Sequence, residues 1–219
     1  MKPRALDLFC GAGGASTGLC QAGFEVTGID IHSQPRYPFE FFQSDALEAS
    51  LAGFDLVWAS PPCQRYTRAQ NAAKNAHNHP DLIAPVRDKL IKWGGPWIIE
   101  NVVGAPLIDP VTVCGLKLGL KVKRHRLFES NLPIQGSGCG DHRQDYYVIF
   151  GHECRNRRHG LAAGRKNRIA IGRQAMGISW MTRGELSEAI PPAYAKFLGL
   201  QVLRLLKLDK ETPLNLCTS

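Results

Sequence analysis

Short apolar runs and longer amphipathic segments alternate through the first half of the chain. The short runs are rich in Leu, Ile, Val and Phe and are too brief for stable helices, which predicts buried strands. The longer segments repeat apolar residues at helical spacing and stop at glycine, which predicts helices. We predict strands over residues 4–9, 24–29, 39–43, 54–60 and 97–99, and helices over residues 15–22 and 81–93.

This order of elements predicts the fold class. Strands that alternate with helices form a parallel sheet covered on both faces, so we expect an α/β protein with a doubly wound, mostly parallel sheet. Beyond Leu132 the periodicity weakens, which indicates a small, irregular, basic lobe with little sheet of its own. A final amphipathic helix follows Pro191-Pro192. We therefore divide the chain into residues 1–130, the lobe at 131–172, and a segment at 173–219 that returns to the first part.

The composition predicts a globular protein of the cytoplasm. The chain has 219 residues, of which 44% are hydrophobic, enough for one full core. Met1-Lys2-Pro3-Arg4 leads directly into the first strand, so we expect no signal peptide. No uncharged apolar run approaches the length of a membrane span. The seven cysteines follow no regular spacing, which favours free thiols in a reducing compartment.

Positive charge is concentrated in the lobe. The net charge is +8 and the pI about 9.3. Residues 143–173 carry eight Lys or Arg side chains against two acidic ones. A solvated surface loop would explain part of this excess, but a surface that contacts phosphates explains it better. The candidate contacts there are Arg155, Arg157, Arg158, Arg165 and Lys166.

Pro61-Pro62-Cys63-Gln64 follows directly after an apolar strand. Two prolines end regular pairing and fix the backbone, so the cysteine stands at a rigid strand exit. Functional groups of open α/β sheets gather past the carboxyl ends of strands, which favours a nucleophilic thiol over an ordinary buried cysteine. Gln64, Arg65 and Arg68 follow it, and the two arginines are candidate phosphate contacts.

A glycine-rich turn and two acids stand at the ends of the first three strands. Gly11, Gly13 and Gly14 lie between a strand and a helix, where backbone can approach a ligand closely. Asp30 ends the second strand, where a carboxylate can accept hydrogen bonds from a ribose diol. Asp45 follows the third strand and could reach an exocyclic amine. Taken singly, each acid suits a cap or surface position equally well; together they predict an adenosine-sized site.

Further polar residues mark the fifth strand and a later one. Glu100 ends the fifth strand, beside the strand that presents Cys63, where burial would favour a protonated carboxyl that donates to a ring nitrogen. A cap on the following loop is an equally good interpretation. Arg124 and Arg126 alternate along a predicted strand and so share a face, which suits oxygen acceptors or phosphate. The alternative is a charged strand edge.

Cysteine and histidine pairs in the lobe raise the question of zinc. Cys139-x2-His142 and His152-x-Cys154 supply four possible ligands in a segment poor in core residues. The short His-x-Cys spacing is unusual for zinc, so we favour a basic surface loop and assign no metal.

With these residues assembled, the chain resembles the cytosine-C5 DNA methyltransferase family along nearly its whole length. Residues 7–14 (Asp-Leu-Phe-Cys-Gly-Ala-Gly-Gly) resemble the family's S-adenosylmethionine-binding motif. Residues 61–64 (Pro-Pro-Cys-Gln) resemble its catalytic loop, and residues 100–102 (Glu-Asn-Val) the motif with its catalytic glutamate. Residues 124–126 are similar to its Gln-x-Arg-x-Arg element, and residues 190–192 to its closing motif.

The resemblance implies a Rossmann-like methyltransferase fold and an enzyme that methylates cytosine C5 in double-stranded DNA, within a bacterial or phage-infected cell. It implies a catalytic and cofactor-binding part (1–130) and a target-recognition lobe. A mobile loop from Cys63 to about His79 would close over a flipped base. The implied catalytic residues are Cys63, Glu100, Arg124 and Arg126. The implied contacts to S-adenosylmethionine are Phe9, Gly11, Ala12, Gly13, Asp30, Ile31, Asp45, Ala46 and Pro61, and Gln64 would contact DNA.

The chain also departs from the family pattern. Val122 stands in place of the glutamine of Gln-x-Arg-x-Arg, and Glu188 replaces an asparagine before the closing motif. The recognition region is short, which keeps a related enzyme acting on structured RNA open. A catalytically silent paralogue that binds DNA is a further alternative. Monomer and homodimer both stay open.

Overall fold

Ten strands and five helices build the part of the chain described by the computed structural model, which comprises residues 1–66, 80–150, 153–161 and 165–211. The strands are β1 (Arg4–Leu8), β2 (Glu25–Asp30), β3 (Glu40–Gln43), β4 (Leu56–Ala59), β5 (Trp97–Asn101), β6 (Val111–Cys114), β7 (His125–Ser130), β8 (Tyr147–Phe150), β9 (Glu153–Asn156) and β10 (Gly160–Leu161). The helices are α1 (Gly14–Ala22), α2 (Ile83–Trp93), α3 (Arg165–Met176), α4 (Arg183–Glu188) and α5 (Pro192–Glu211).

Seven strands form the main sheet in the order β3-β2-β1-β4-β5-β7-β6. The first five are parallel, whereas β7 runs antiparallel to both β5 and β6. The prediction of a doubly wound, mostly parallel sheet is therefore confirmed. Because β7 runs in the opposite direction to β5, the start of β7 lies beside the carboxyl end of β5.

Side chains on the central strands alternate between two cores, as the two-residue period of a strand requires. Trp58 and Ile98 face the cluster that includes helices α1 and α5. Val57 and Ile99 face the opposite cluster, which includes α2. By the same alternation, Glu100 points to the α1 and α5 side.

Helices α1 and α5 pack closely through glycine. A Cβ on Gly18 would lie 2.8 Å from both the Ala195 Cβ and the Lys196 backbone nitrogen, closer than atoms normally approach. The absence of a side chain at Gly18 thus allows the first and last helices to meet over the sheet.

The lobe is more regular than predicted. Strands β8, β9 and β10 form an antiparallel sheet in the order β10-β9-β8. The segment Tyr147–Phe150 is a run of aromatic and β-branched residues, which favour strands. Its signal is diluted in the sequence by the Gly, His and Arg around it. A third apolar cluster, with Ile149 and Met176 among its members, joins the lobe to Ala12 of the glycine turn.

Candidate functional site

A cleft of about 330 Å³ opens past the carboxyl ends of β1, β2, β4 and β5. Its volume is at the lower end of the range typical of ligand pockets, about 300–1000 Å³. Its lining brings together two groups of predicted residues. One group comprises Phe9, Gly11, Ala12, Asp30, Ile31 and Pro61, and the other Cys63, Gln64, Glu100 and Arg126.

The backbone after β1 turns sharply into the cleft. Phe9 has a φ of 59° and Gly11 of 49°, both in the left-handed region. For a phenylalanine this conformation is strained, and such strain is concentrated at functional sites. The Gly11 amide donates to Asp30 Oδ2 over 3.0 Å, and the Trp180 indole donates to the Ala12 carbonyl over 2.7 Å. The turn is thus held from both sides.

Asp30 fixes the second wall of the cleft. Its Oδ1 accepts a hydrogen bond of 3.0 Å from the His32 amide, in addition to the Gly11 bond on Oδ2. Each carboxylate oxygen retains a second lone pair for a ligand. The neighbouring Ile31 is 57% exposed although it is apolar. An exposed aliphatic side chain next to an acceptor is suited to cover a flat ring.

Three residues of the predicted cofactor set lie outside the lining. Gly13 has a φ of 84° and precedes α1, so it shapes the turn from behind. The Asp45 carboxylate accepts from the Leu47 amide over 2.8 Å and so caps a local turn, and Ala46 is buried in the apolar cluster on the α2 side.

Cys63 stands on an anchored loop. The Pro61 carbonyl accepts a buried hydrogen bond of 2.9 Å from the Asn101 amide group, and the Tyr66 amide donates to the Cys63 carbonyl over 2.9 Å. The Cys63 side chain is half-buried and lines the cleft. The Asn101 contact therefore ties the cysteine-bearing loop to the strand that carries Glu100.

Glu100 and Arg126 form an ion pair at the inner end of the cleft. Arg126 Nε lies 2.8 Å from Glu100 Oε1, although that oxygen has no well-directed hydrogen bond among the described residues. Burial raises the pKa of Glu100 above its ordinary value, against the opposing charges of Arg126 and Arg124. A raised pKa favours the protonated form, which can donate a hydrogen bond.

Arg124 is buried and does not line the cleft. Its guanidinium donates to the Ile149 carbonyl over 3.2 Å and to the Ser187 carbonyl over 2.8 Å. Burial, together with the charge of Arg126, lowers the pKa of Arg124 to about 9. Arg124 is thus close enough to Glu100 and Cys63 for their charges to interact, although it does not line the cleft. Its hydrogen bonds join the lobe and the last turn of α4 to the start of β7.

Asp7 also lines the cleft, although it was not among the predicted site residues. The side chain is fully buried within β1 and accepts a hydrogen bond from Ser16 Oγ. Ser16 Oγ lies 2.7 Å from the Tyr37 hydroxyl. Burial raises the pKa of Asp7 to about 7. The signal in the sequence was an acid inside an otherwise apolar strand.

The candidate nucleic-acid contacts lie on the cysteine loop and the lobe. Arg65 is exposed beside Cys63, whereas Arg68 and the rest of the segment to His79 lie outside the described residues. Arg155, Arg157 and Arg158 are exposed on the lobe, and the Arg157 guanidinium lies 5.9 Å from the centre of the Tyr146 ring. Arg165 and Lys166 occupy the first turn of α3.

A larger surface cleft, of about 1250 Å³, lies at the other end of the sheet. It is lined by residues at the amino-terminal ends of the strands, such as Arg4 and Glu25. Binding sites of open α/β sheets form past the carboxyl ends, and the larger cleft contains none of the predicted site residues. We therefore place the site in the smaller cleft. Among the described helices, none is both long enough and apolar enough to cross a membrane.

Comparison with solved structures gives the fold. A protein described as a DNA modification methyltransferase encoded within an Escherichia coli prophage has a TM-score of 0.62 at 13% identity, over 94% of this chain and 99% of that chain. Dnmt2 from Spodoptera frugiperda has a TM-score of 0.60 at 12% identity, over 92% of this chain and 99% of that chain. Similarity at these identities concerns the fold alone.

Sequence comparison gives a shorter match. No family model matches the chain. The Type II methyltransferase M.AgeI of Thalassovita gelatinovora is 29% identical across 46% of this chain. The match spans 28% of that protein's length. The chain therefore has the Rossmann-like fold of methyltransferases, and each of the segments that resemble their motifs contributes at least one residue to a single cleft.

Proposed function

We propose that this chain transfers a methyl group from S-adenosylmethionine to C5 of cytosine in DNA, through a covalent adduct between Cys63 and C6 of the base. One observation carries the proposal. Cys63, Glu100 and Arg126 line the same cleft as the Gly11 turn and Asp30. A nucleophile, a protonatable acid and a cation thus lie beside a surface suited to a nucleoside.

The cofactor surface fits S-adenosylmethionine in the chemistry of its groups. Asp30 has free acceptor capacity for a ribose diol, and Ile31 offers an exposed apolar face to a purine. Asp7 Oδ1 is a buried acceptor without a hydrogen-bond partner among the described residues, which suits a cationic group. When bound, the cofactor supplies an electrophilic methyl group. Gly13, Asp45 and Ala46 would support this surface by shaping the turns behind it.

The chain's own residues account for the activation of the base. Cytosine C5 is a poor nucleophile, but addition of the Cys63 thiolate to C6 moves electron density onto C5. Glu100, whose pKa burial raises, would donate a proton to N3 and so make C6 electrophilic. Arg126 would bind the base O2. After C5 gains the methyl group, loss of the C5 proton to solvent restores the C5–C6 double bond and expels the Cys63 sulfur as thiolate, and the N3 proton returns to Glu100.

Arg124 takes a positioning role in this scheme, since its described hydrogen bonds go to backbone carbonyls. They would hold β7, and with it Arg126, in register with Glu100. A base stacked in a duplex cannot reach the cleft, so the target must be flipped out at a cost of about a few kcal/mol. Gln64, Arg65 and Arg68 would then contact the strand around the flipped base.

The test uses duplex DNA that contains 5-fluorocytosine. With fluorine in place of hydrogen, C5 has no proton to lose after it is methylated. The Cys63 adduct should therefore persist as a denaturant-resistant protein–DNA band. We expect the band with the wild type and with the control Cys20→Ser, a change at an exposed thiol on α1. We expect no band with Cys63→Ser or without the cofactor. A band that survives Cys63→Ser would overturn the assignment of the nucleophile.

RNA is the second candidate substrate, and the small size of the lobe favours it. The lobe has three short strands of at most four residues, a limited surface for reading a DNA groove. The same assay with tRNA containing 5-fluorocytosine separates the two substrates. If neither substrate gives a band while the cofactor still binds, the chain is a silent binding protein and the proposal fails.

A further inference from the structure

Two thiols and two imidazoles meet where the lobe leaves the main sheet. They belong to Cys114 at the end of β6, His125 at the start of β7, and Cys139 and His142 on the loop that follows. Two of these residues belong to the pairs considered from the sequence. The other predicted pair is not involved, because Cys154 is buried in the apolar cluster that joins the lobe to the glycine turn. Its partner His152 lies outside the described residues.

The β6–β7 ladder places the first two ligands. Cys114 and His125 are direct partners in the antiparallel register, so their side chains leave the sheet on the same face. This pairing could not be read from the sequence, because the two residues are not close in the chain and β6 was not predicted.

The loop after β7 brings in the other two ligands. Ser137 Oγ accepts a hydrogen bond of 2.9 Å from the Cys114 amide, and Gly138 forms a bridge with Val113. These contacts hold the loop against β6 just before Cys139. The two intervening residues then return His142 to the same point.

The distances among the four ligand atoms fit a tetrahedral ion. Cys139 Sγ lies 3.1 Å from His142 Nε2 and 3.2 Å from His125 Nε2, and Cys114 Sγ lies 3.7 Å from His142 Nε2. All four atoms lie within 4.8 Å of one another. Bonds of about 2.0 Å to nitrogen and 2.3 Å to sulfur place tetrahedral ligands ~3.3–3.8 Å apart. Small adjustments, outward for the two Cys139 contacts and inward for the wider separations, would complete the coordination.

We propose that Cys114, His125, Cys139 and His142 bind one structural Zn²⁺ per chain. Two thiolates and two imidazoles are a ligand set that zinc prefers, and four protein ligands leave no open position for catalysis. Binding displaces the two thiol protons and leaves a neutral centre. The ion joins the lobe to β6 and β7 where the lobe has few apolar side chains. Because His125 lies between Arg124 and Arg126, it also fixes the start of β7.

The first experiment is the metal content of the full chain, purified under reducing conditions without chelator. We expect one zinc per chain by elemental analysis. Replacement by Co²⁺ should give the visible bands of a tetrahedral site and a near-ultraviolet charge-transfer band from thiolate. A wild-type chain with no stoichiometric zinc and no cobalt spectrum overturns the proposal, as does a Cys114–Cys139 disulfide found under the same conditions.

Matched variants assign the ligands. Cys139→Ser and His142→Gln should each reduce the zinc content to well below half an equivalent and remove the thiolate or imidazole signature of the cobalt form. Cys20→Ser and His159→Gln change an exposed thiol and an exposed imidazole outside the cluster, and should retain one equivalent. Unchanged zinc content in both ligand variants contradicts the assignment. Should a variant not fold, the wild-type metal content and cobalt spectrum still decide.

Discussion

Asp7 is a residue whose acidity is strongly altered by its surroundings. It lies in the centre of the sheet, accepts a hydrogen bond from Ser16 and has no ion-pair partner among the described residues. Desolvation therefore dominates and raises its pKa from 3.8 to about 7. The folded chain binds a proton at this site over a pH range in which the unfolded chain has released it.

This proton uptake predicts an unusual pH dependence of stability. Between pH ~4 and ~7 the unfolded state has fewer protons than the folded state, so stability falls as pH rises, by up to about 1.4 kcal/mol per pH unit. Asp7→Asn retains the acceptor for Ser16 and cannot titrate. We expect the variant's melting temperature to rise relative to that of the wild type as pH increases through this range. Parallel pH profiles for the two proteins would contradict the prediction.

A site residue could be predicted where the end of a strand determines its position. Cys63 and Glu100 follow strands that are apolar in the sequence, and the rule for parallel sheets places both at one edge. The hydrogen bonds of Arg124 depend instead on Ile149 and Ser187, and the Ser16 hydroxyl that donates to Asp7 also lies beside the Tyr37 hydroxyl. Alternation along a strand could not supply those contacts.

At the level of elements, an almost buried ion pair joins α2 to β7. Arg87 Nε and Nη2 donate to the two carboxylate oxygens of Glu129 over 2.6 and 2.7 Å. The Arg87 side chain is 13% exposed and that of Glu129 5%. Glu129 also accepts from the Ile108 amide over 2.9 Å. The pair thus fixes one helix, one strand and the loop after β5.

Removing the Arg87 cation alone should strongly destabilise the folded chain. Arg87→Met leaves the Glu129 carboxylate buried without its counterion, and we expect a loss of about 3–5 kcal/mol in the free energy of unfolding. Adding Glu129→Gln should recover part of that loss, because the buried charge is removed. Arg36→Met breaks the more exposed pair with Glu185 and should have a much smaller effect. Equal losses for Arg87→Met and Arg36→Met in urea titrations would contradict this account.

The five parallel strands of the main sheet could be predicted because they are short apolar runs that alternate with helical segments. Strand β6 was not predicted, since Val111–Cys114 is only four residues long and its first two residues are partly exposed. Its place is decided by pairing with β7. The sheet of the lobe was underestimated for a related reason: its strands are short and β10 has two residues. Such strands are stable only when paired with one another.

For the whole molecule, the excess of positive charge and its location on the lobe determine how the protein should bind a polyanion. The net charge is +8, and Arg155, Arg157 and Arg158 are exposed on the lobe. Phosphate contacts release counterions, so affinity for nucleic acid falls with salt in proportion to their number. If the lobe contacts the backbone of the proposed substrate, its arginines should contribute to the salt dependence of binding.

The double variant Arg157→Gln and Arg158→Gln tests this placement. We expect weaker binding to all DNA sequences and a salt dependence whose slope is smaller by about 1 for each phosphate that the variant no longer neutralises. The control is Lys92→Gln, because Lys92 is exposed on α2 away from the lobe. Fluorescence anisotropy across a salt series measures both quantities. An equal effect per charge for Lys92→Gln would show that net charge alone matters.

The packing of α1 on α5 has a consequence for how the chain folds during its synthesis. α1 ends at Ala22, but the helix that covers it begins at Pro192. At about 5–20 residues per second, the ribosome needs roughly 10 to 30 seconds to make the intervening segment. For that time the apolar side chains on α1 and on this face of the nascent sheet lack the cover that α5 provides. A growing chain of this kind is a natural client for a chaperone, and slower translation would lengthen its exposure to aggregation.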